Sequence, residues 1–512
     1  MKRSNLLRSS MMLALGSVML VPAAFAASHT FKIGIGVALD SLDPAQQTTT
    51  TVMNVIDYDL QTLVTFNKDG KLEPQLATSW STSDGGKVLT LDLRKGVTFQ
   101  DGTPFNSKAV KFSLERLING KVKVHIGAAY KPIESIETPG PHTVKIHMKY
   151  PDPDLLPNLG ATMAAIVSPA SVKTHGNSYT NIVWPVGTGP YELVSRTKSS
   201  QIVFKRNEHY WGKMPYYKKV DFKIMPEANA REAGLLAGQL DMIMNPPVTD
   251  LQSLAAHGGI SVLKAPDDRT VFIGFNLKKK PFEKKKVRQA LNYAVNKKAI
   301  IKNVLFDSVN PVNSPFADSL AAHCKVGNYD HDPAKAKKLL AEAGVDPGKL
   351  DVTLASPTGR YLQDIQAAQA IAGDLREIGL HVKVRTMDWP SYLSNVNSQA
   401  DPFDMFLLGW APIALDAPAQ MDMFTKSNWP PNGLNGTFYS DPKVEALYSK
   451  AERELDKGKR DKLYCEIQKK IWDDAPWIFL WSQTLIVAYD NHIAGISYEP
   501  NEKFNTIYAH PK

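Results

Sequence analysis

The chain has 512 residues, more than one hydrophobic core organises, so two or three cooperating domains are expected. Its 43% hydrophobic and 22% charged residues are ordinary for a folded soluble protein and exclude a chain too polar to bury a large core. The formal net charge of +9 mildly favours anionic solutes or partners.

Lys2, Arg3 and Arg8 open the chain, and an apolar run follows over residues 11–21. Ala24-Phe25-Ala26 then forms a small-x-small cleavage site, with Ala27 as the expected mature start. That run is too short to span ~30 Å of hydrocarbon, so residues 1–26 are expected to be a removable signal peptide. No cysteine stands at the cleavage site to carry a lipid anchor, and no later run reads as a transmembrane helix. The mature chain is therefore expected to be soluble in the periplasm, where nucleic acid is no partner.

In chain order, residues 31–37 read as a strand, and Asp43-Pro44 as a turn. Leu89, Leu91 and Leu93, then Val97 and Phe99, alternate with polar residues as in a half-buried strand. After Asp101-Gly102-Thr-Pro104, Asn106 or Ser107 caps a helix bearing Val110, Leu114, Leu117 and Ile118. Val144, Ile146 and Met148 alternate again. Further strands are expected at residues 202–204 and 220–224, and a short helix around 230–237. From about residue 276 helices dominate. Asp332-Pro333 starts one that Gly344 closes, residues 363–378 form another ending at Gly379, and Asp441-Pro442 starts a third. Strands are expected at residues 382–384, 403–410 and 485–488. The run from Lys278 to Lys286 is broken by Pro281, Phe282 and Glu283 and reads as a solvated turn. Strands mixed with connecting helices argue an α/β class. The two cysteines, Cys324 and Cys465, either form one disulfide or stay free, with Cys465 buried in a helix.

Several ordered motifs carry a resemblance. They are Leu72-Glu-Pro-Gln-Leu-Ala-Thr-Ser-Trp80, Leu93-Arg-Lys-Gly-Val-Thr-Phe-Gln-Asp-Gly-Thr-Pro-Phe-Asn106 and Val186-Gly-Thr-Gly-Pro-Tyr191. Arg206-Asn-Glu-His-Tyr-Trp211, Phe275-Asn-Leu277, Val287-Arg-Gln-Ala-Leu-Asn-Tyr-Ala294 and Gly409-Trp410 follow. With them the chain resembles the family 5 extracellular solute-binding proteins, the dipeptide-, oligopeptide-, glutathione- and nickel-binding group. The resemblance implies a two-lobed periplasmic binding protein of three domains, the second inserted into the first. On that pattern residues 27–70, 188–275 and 485–512 form the first domain, 71–187 the second and 276–484 the third. Hinge segments are expected near residues 265–276 and 484–489. It implies capture of a small peptide-like solute by a monomer and delivery to the permease subunits of an ABC importer, with no cofactor, metal or catalysis. Trp80, Tyr210 and Trp211 are expected to fill cores between strands.

Arginine's planar fork suits a buried carboxylate, and Arg360 resembles the position that pairs a peptide's C-terminal carboxylate in dipeptide-binding relatives. Trp410, Tyr361 and Trp389, with Tyr392, offer flat surfaces with polar tips, each as core-like as pocket-like. The position that resembles the ammonium-binding aspartate of peptide-binding relatives is Ile413, and Asp416 lies one helical turn beyond it. Alternatives are a non-peptide solute (an opine, a sugar, a nickel or haem chelate), a signalling or folding role for the closed form, or a secreted hydrolase using Asp401 and Asp404. Gly34-Ile-Gly36 lacks the third glycine of a nucleotide fingerprint. With Ile413 in place of a carboxylate, burying an ammonium costs roughly 3–5 kcal/mol, about two to four decades of affinity. The expected ligand thus has no free α-ammonium, or binds in another register. Isothermal titration against a dipeptide panel checks this: submicromolar binding of ordinary dipeptides contradicts it.

Overall fold

The computed structural model describes residues 30–512 apart from 68–69, 126, 321, 399–402, 413–416 and 500. The expected leader lies outside them. Strand β1 (Thr30–Ile35) is followed by helix α1 (Thr50–Ile56). After a short hairpin of Val64–Phe66 and Leu72–Pro74, a separate antiparallel sheet follows: β2 (Ala77–Ser83), β3 (Val88–Leu93), β4 (Ile133–Gly140) and β5 (Thr143–Met148), in the order β2-β3-β5-β4. Helix α2 (Ser107–Ile118) lies against it, its N-terminus capped by Asn106, whose side chain accepts from the Lys108 and Ala109 amides. The alternation over Leu89, Leu91 and Leu93 buries one face of β3, as expected.

The main sheet resumes with β6 (Tyr191–Thr197), β7 (Gln201–Arg206), β8 (Lys219–Ile224), β9 (Met242–Met244) and β10 (Ile260–Phe275). Helix α3 (Lys285–Ala294) precedes β11 (Asp351–Pro357), α4 (Asp364–Glu377), β12 (His381–Met387), α5 (Trp389–Val396), β13 (Met405–Trp410) and β14 (Trp477–Asp490). Among the described residues these strands, with Asn310–Pro311 beside β14, form one sheet ordered β12-β11-β13-β10-β14-β9-β1-β8-β7-β6. A hairpin of β15 (Ser497–Glu499) and β16 (Lys503–Asn505) follows.

Strands β10 and β14 run through the middle of this sheet and pair from Ile260↔Asp490 to Gly274↔Trp477. Their register shifts twice, widely between Pro266 and Thr270 and by one residue between Val271 and Phe272. Pro266 pairs with Thr484 and Thr270 with Ser482, so Asp267, Asp268 and Arg269 stand opposite Gln483 alone. Proline offers no ladder N–H, and extra residues on one strand bend and twist it. One half of the sheet (β9-β1-β8-β7-β6) therefore joins the other (β13-β11-β12) through two strands whose pairing is interrupted at residues 267–269 and shifts again just beyond. Strand β14 is buried along nearly its whole length, a continuous apolar run without alternation. Only its 485–488 part was legible as strand.

Asp332 and Asp441 cap the helices Pro333–Glu342 and Pro442–Ala451 through their side chains, as expected. Lys278, Lys280 and Lys284 to Lys286 are exposed, and Lys285 and Lys286 pair with Asp473 and Glu342. Gly187 and Gly189 are needed because the Asp59 carbonyl passes so close that an added Cβ would lie 2.1 and 2.4 Å from it. One motif expectation changes, that for Tyr210 and Trp211. Trp211 packs against the core only at its edge, and Tyr210 stands beside it. They are half-buried and line a cavity of about 490 Å³, where Trp211 and Tyr210 both bond Gln61.

Cys324 and Cys465 form a disulfide with Cα atoms 5.3 Å apart, which overturns the alternative of a buried free thiol. The bridge ties the helix Lys457–Asp474 to a chain segment 141 residues earlier. A loop that long gives the unfolded chain much entropy to lose. Cys324→Ser is expected to lower unfolding free energy by about 2–5 kcal/mol in urea titration, and dithiothreitol is expected to bring the native protein to the same midpoint.

Candidate functional site

Both halves of the sheet present the carboxyl ends of parallel strands to one gap, the place where open α/β sheets collect ligands. From one side β1 leads through Gly36 to Thr49 and Thr50 at the start of α1. From the other, β11, β12 and β13 lead to Arg360, Trp389 and Trp410. The halves meet backbone to backbone: a Cβ on Gly36 would lie 2.3 Å from the Gly359 carbonyl oxygen.

Local chemistry aims each side chain. Asp364, the first residue of α4, accepts the Arg360 and Tyr361 amides at 2.9 and 3.2 Å and so fixes the loop after β11. Burial pushes its carboxyl up to about 6 against these donors. Asp388 caps α5 and places Trp389, whose Nε1 donates to Thr49 Oγ1 of the opposite half at 3.0 Å. Trp410 ends β13 and donates from Nε1 to the Ala419 carbonyl at 2.9 Å. The Gly409 amide donates to Tyr361 Oη at 2.9 Å.

At the centre lies Glu502, 1% exposed, on the turn between β15 and β16. Arg360 Nη1 donates to its Oε1 at 3.0 Å, and Arg269 Nη2 and Thr50 Oγ1 donate to its Oε2. Arg269 also donates to the Gly409 carbonyl at 2.6 Å, and both arginines donate to Thr50 Oγ1. Burial opposes ionisation of Glu502, yet Arg269 and then Arg360 hold its carboxyl down to about 2. The Arg360 guanidinium stands 5.0 Å from the Tyr361 ring centre and 5.4 Å from that of Trp389, within cation–π range.

Four of the expected residues, Arg360, Tyr361, Trp389 and Trp410, thus line one gap with Arg269 and Thr50. It encloses about 20 Å³, room for a water rather than a solute. Tyr392 does not line it; fully buried, it bonds the Leu407 carbonyl and stacks on Trp389. Ile413, Asp416 and Asp401 lie outside the described residues, and Asp404 is occupied by Lys279 and the Thr353 amide. Sequence reasoning passed over Arg269, Thr50 and Glu502. Arg269 did leave a trace, since Asp267-Asp268-Arg269 interrupts an apolar strand. Among the described residues no group of three or more His, Cys, Asp or Glu is arranged to hold a metal.

Asp267 and Asp268 flank this cluster, 4% and 0% exposed. Burial, then the Glu502 charge, pushes Asp267 up to about 7, and burial with the Asp267 charge pushes Asp268 well above the usual range. A carboxyl whose folded pKa is raised binds protons that the unfolded chain has released. For Asp267 the stabilising contribution is full below about pH 4 and is lost as pH rises through about 7, and for Asp268 stability likewise falls as pH rises. Asp268→Asn is expected to flatten this fall and to raise stability at pH 8 by about 1–3 kcal/mol. Urea unfolding at pH 5 and pH 8 checks both parts.

Comparison with known proteins adds the family. Residues 71–432 match the model of the bacterial extracellular solute-binding proteins, family 5. The glutathione-binding protein GsiB of Pectobacterium atrosepticum is 31% identical over 495 residues, covering 95% of this chain and 96% of that one. The dipeptide-binding protein of Pseudoalteromonas sp. SM9913, solved with Met-Leu, superposes with a TM-score of 0.89 at 23% identity, covering 94% of this chain and 100% of the other. The oligopeptide-binding protein AppA of Bacillus subtilis, solved with a nonapeptide, gives 0.87 at 25% identity, covering 94% and 99%. The fold is accordingly the two-lobed α/β architecture of periplasmic binding proteins, and the chain belongs to family 5 of the bacterial extracellular solute-binding proteins.

Proposed function

We propose that this protein is the exported, solute-capturing component of an ABC importer and that it closes its lobes on a small peptide-like solute bearing a carboxylate. The observation that carries the reading is the pair of buried guanidiniums, Arg269 and Arg360, already engaging a carboxylate where the two halves meet. In support, relatives are described as binding glutathione, Met-Leu and a nonapeptide, all of which carry carboxylates. Residues 27–70, 188–275 and 485–512 form the first domain in this proposal, with 71–187 inserted and 276–484 as the second lobe. The broken pair β10–β14 serves as hinge.

On closure Arg360 pairs the solute's carboxylate in a water-poor gap, where charge and planar geometry act together. Tyr361, Trp389 and Trp410 supply flat walls. Ile413 offers no charge to an α-ammonium, and Asp416 stands as its only near substitute in that segment. The closed complex, a monomer, then docks on the permease subunits, and binding shifts an open–closed population rather than lowering a chemical barrier. Residues 1–26 direct export. No helix among the described residues is long and apolar enough to cross a membrane. The guest leaves unaltered.

Native mass spectrometry of gently purified protein identifies the guest, and its mass after denaturation shows whether it was changed. Arg360→Ala is expected to weaken that guest about 30- to 1,000-fold in isothermal titration, from loss of one partner of a buried charge pair. Arg360→Lys restores the charge without the fork and is expected to recover only part. Unaltered affinity in both variants, or a chemically converted guest, contradicts the proposal.

A further inference from the structure

Glu502 is an unusual residue for its place. It holds a left-handed backbone conformation, φ +62°, which side-chain-bearing residues rarely adopt. The turn is fastened to α1, because Asn54 Nδ2 donates to the Glu502 carbonyl at 3.0 Å. Its carboxylate therefore projects from the half of the molecule that contains β1 and α1. One of its charged partners, Arg360, projects from the other half, beyond β11, and Arg269 sits at the break between halves. The ion cluster spans the gap.

Three members of the cluster, Arg269, Arg360 and Thr50, line the gap, and Glu502 engages all three from beside it. About 20 Å³ is left among Arg360, Tyr361, Trp389 and Trp410. A solute carboxylate engaging both arginines would need the donors that Glu502 holds. We propose that Glu502 is an internal stand-in for the solute carboxylate: it latches the empty lobes together, and an incoming carboxylate must displace it.

This deepens the proposed function and names the solute chemistry that the latch selects. Exchange of Glu502 for a guest carboxylate preserves the charge between two buried guanidiniums. A neutral guest that displaced it would leave both uncompensated, which is strongly unfavourable. The latch also lowers apparent affinity, because only the unlatched fraction is open to a guest. A threshold of this kind discriminates by charge without any contact to the rest of the solute.

The test needs no knowledge of the guest. Protein stripped of co-purified solute by dialysis is measured by small-angle X-ray scattering as wild type, Glu502→Gly and Glu502→Gln. Glycine relaxes the left-handed turn and glutamine keeps the side chain's size, so circular dichroism is expected to report folded protein for each. The expected result is a compact wild type and expanded variants. Sodium acetate at about 100 mM is expected to re-compact Glu502→Gly, while equal sodium chloride is not. Equal dimensions for wild type and both variants, or no difference between acetate and chloride, overturns the latch. Since no peptide-like solute is added, failure of the latch is separable from failure of the importer reading, which rests on the guest's identity.

Discussion

A carboxylate withdrawn from water costs several kcal/mol unless charge and hydrogen bonds replace its hydration shell. Glu502 meets that condition with two guanidiniums and one hydroxyl drawn from separate stretches of the chain. The requirement is mutual, since Arg269 and Arg360 are buried nearly as deeply. Each group tolerates burial only while the others are present. The contact between the two halves of the sheet is for this reason more than shape complementarity: it is a buried ion cluster with its members on both sides.

The sheet makes that assembly possible. Strands β10 and β14 belong to both halves, and their shared break gathers Asp267, Asp268 and Arg269 where the halves meet. A regular ladder would have sent those side chains alternately to opposite faces. Parallel strands on each side then bring loop ends, rather than strand middles, to the gap. Loops accept the backbone conformations that Gly359 and Gln363 adopt, both with positive φ, and Arg360 is carried between them.

Helices announced themselves through their caps. Asn106, Asp332 and Asp441 each stood before an apolar stripe, and each bonds the first-turn amides as the pattern implied. Strand β14 was half hidden because residues buried on both faces show no period, so Trp477 to Thr484 gave no alternation to read. In the site, Arg360 and Trp410 were accessible through motif resemblance and Tyr361 and Trp389 as flat rings with polar tips, and the fold brings them together. Glu502 was not. Its partners lie 233, 142 and 452 residues away in sequence, and nothing in a short terminal turn records such distances. Long-range charge pairing is a property of the folded chain, and composition carries no trace of it.

The approach of Gly36 to Gly359 bears on what size means for such a clamp. Backbone touching backbone gives the jaws a hard stop that no side-chain rotation can soften. The closed gap then has a floor set by covalent geometry, and the guest's room above it is whatever the surrounding rings and guanidiniums leave free. Lineages that trade those rings can retune the guest while the stopping point stays the same, like a calliper whose zero is machined into the frame.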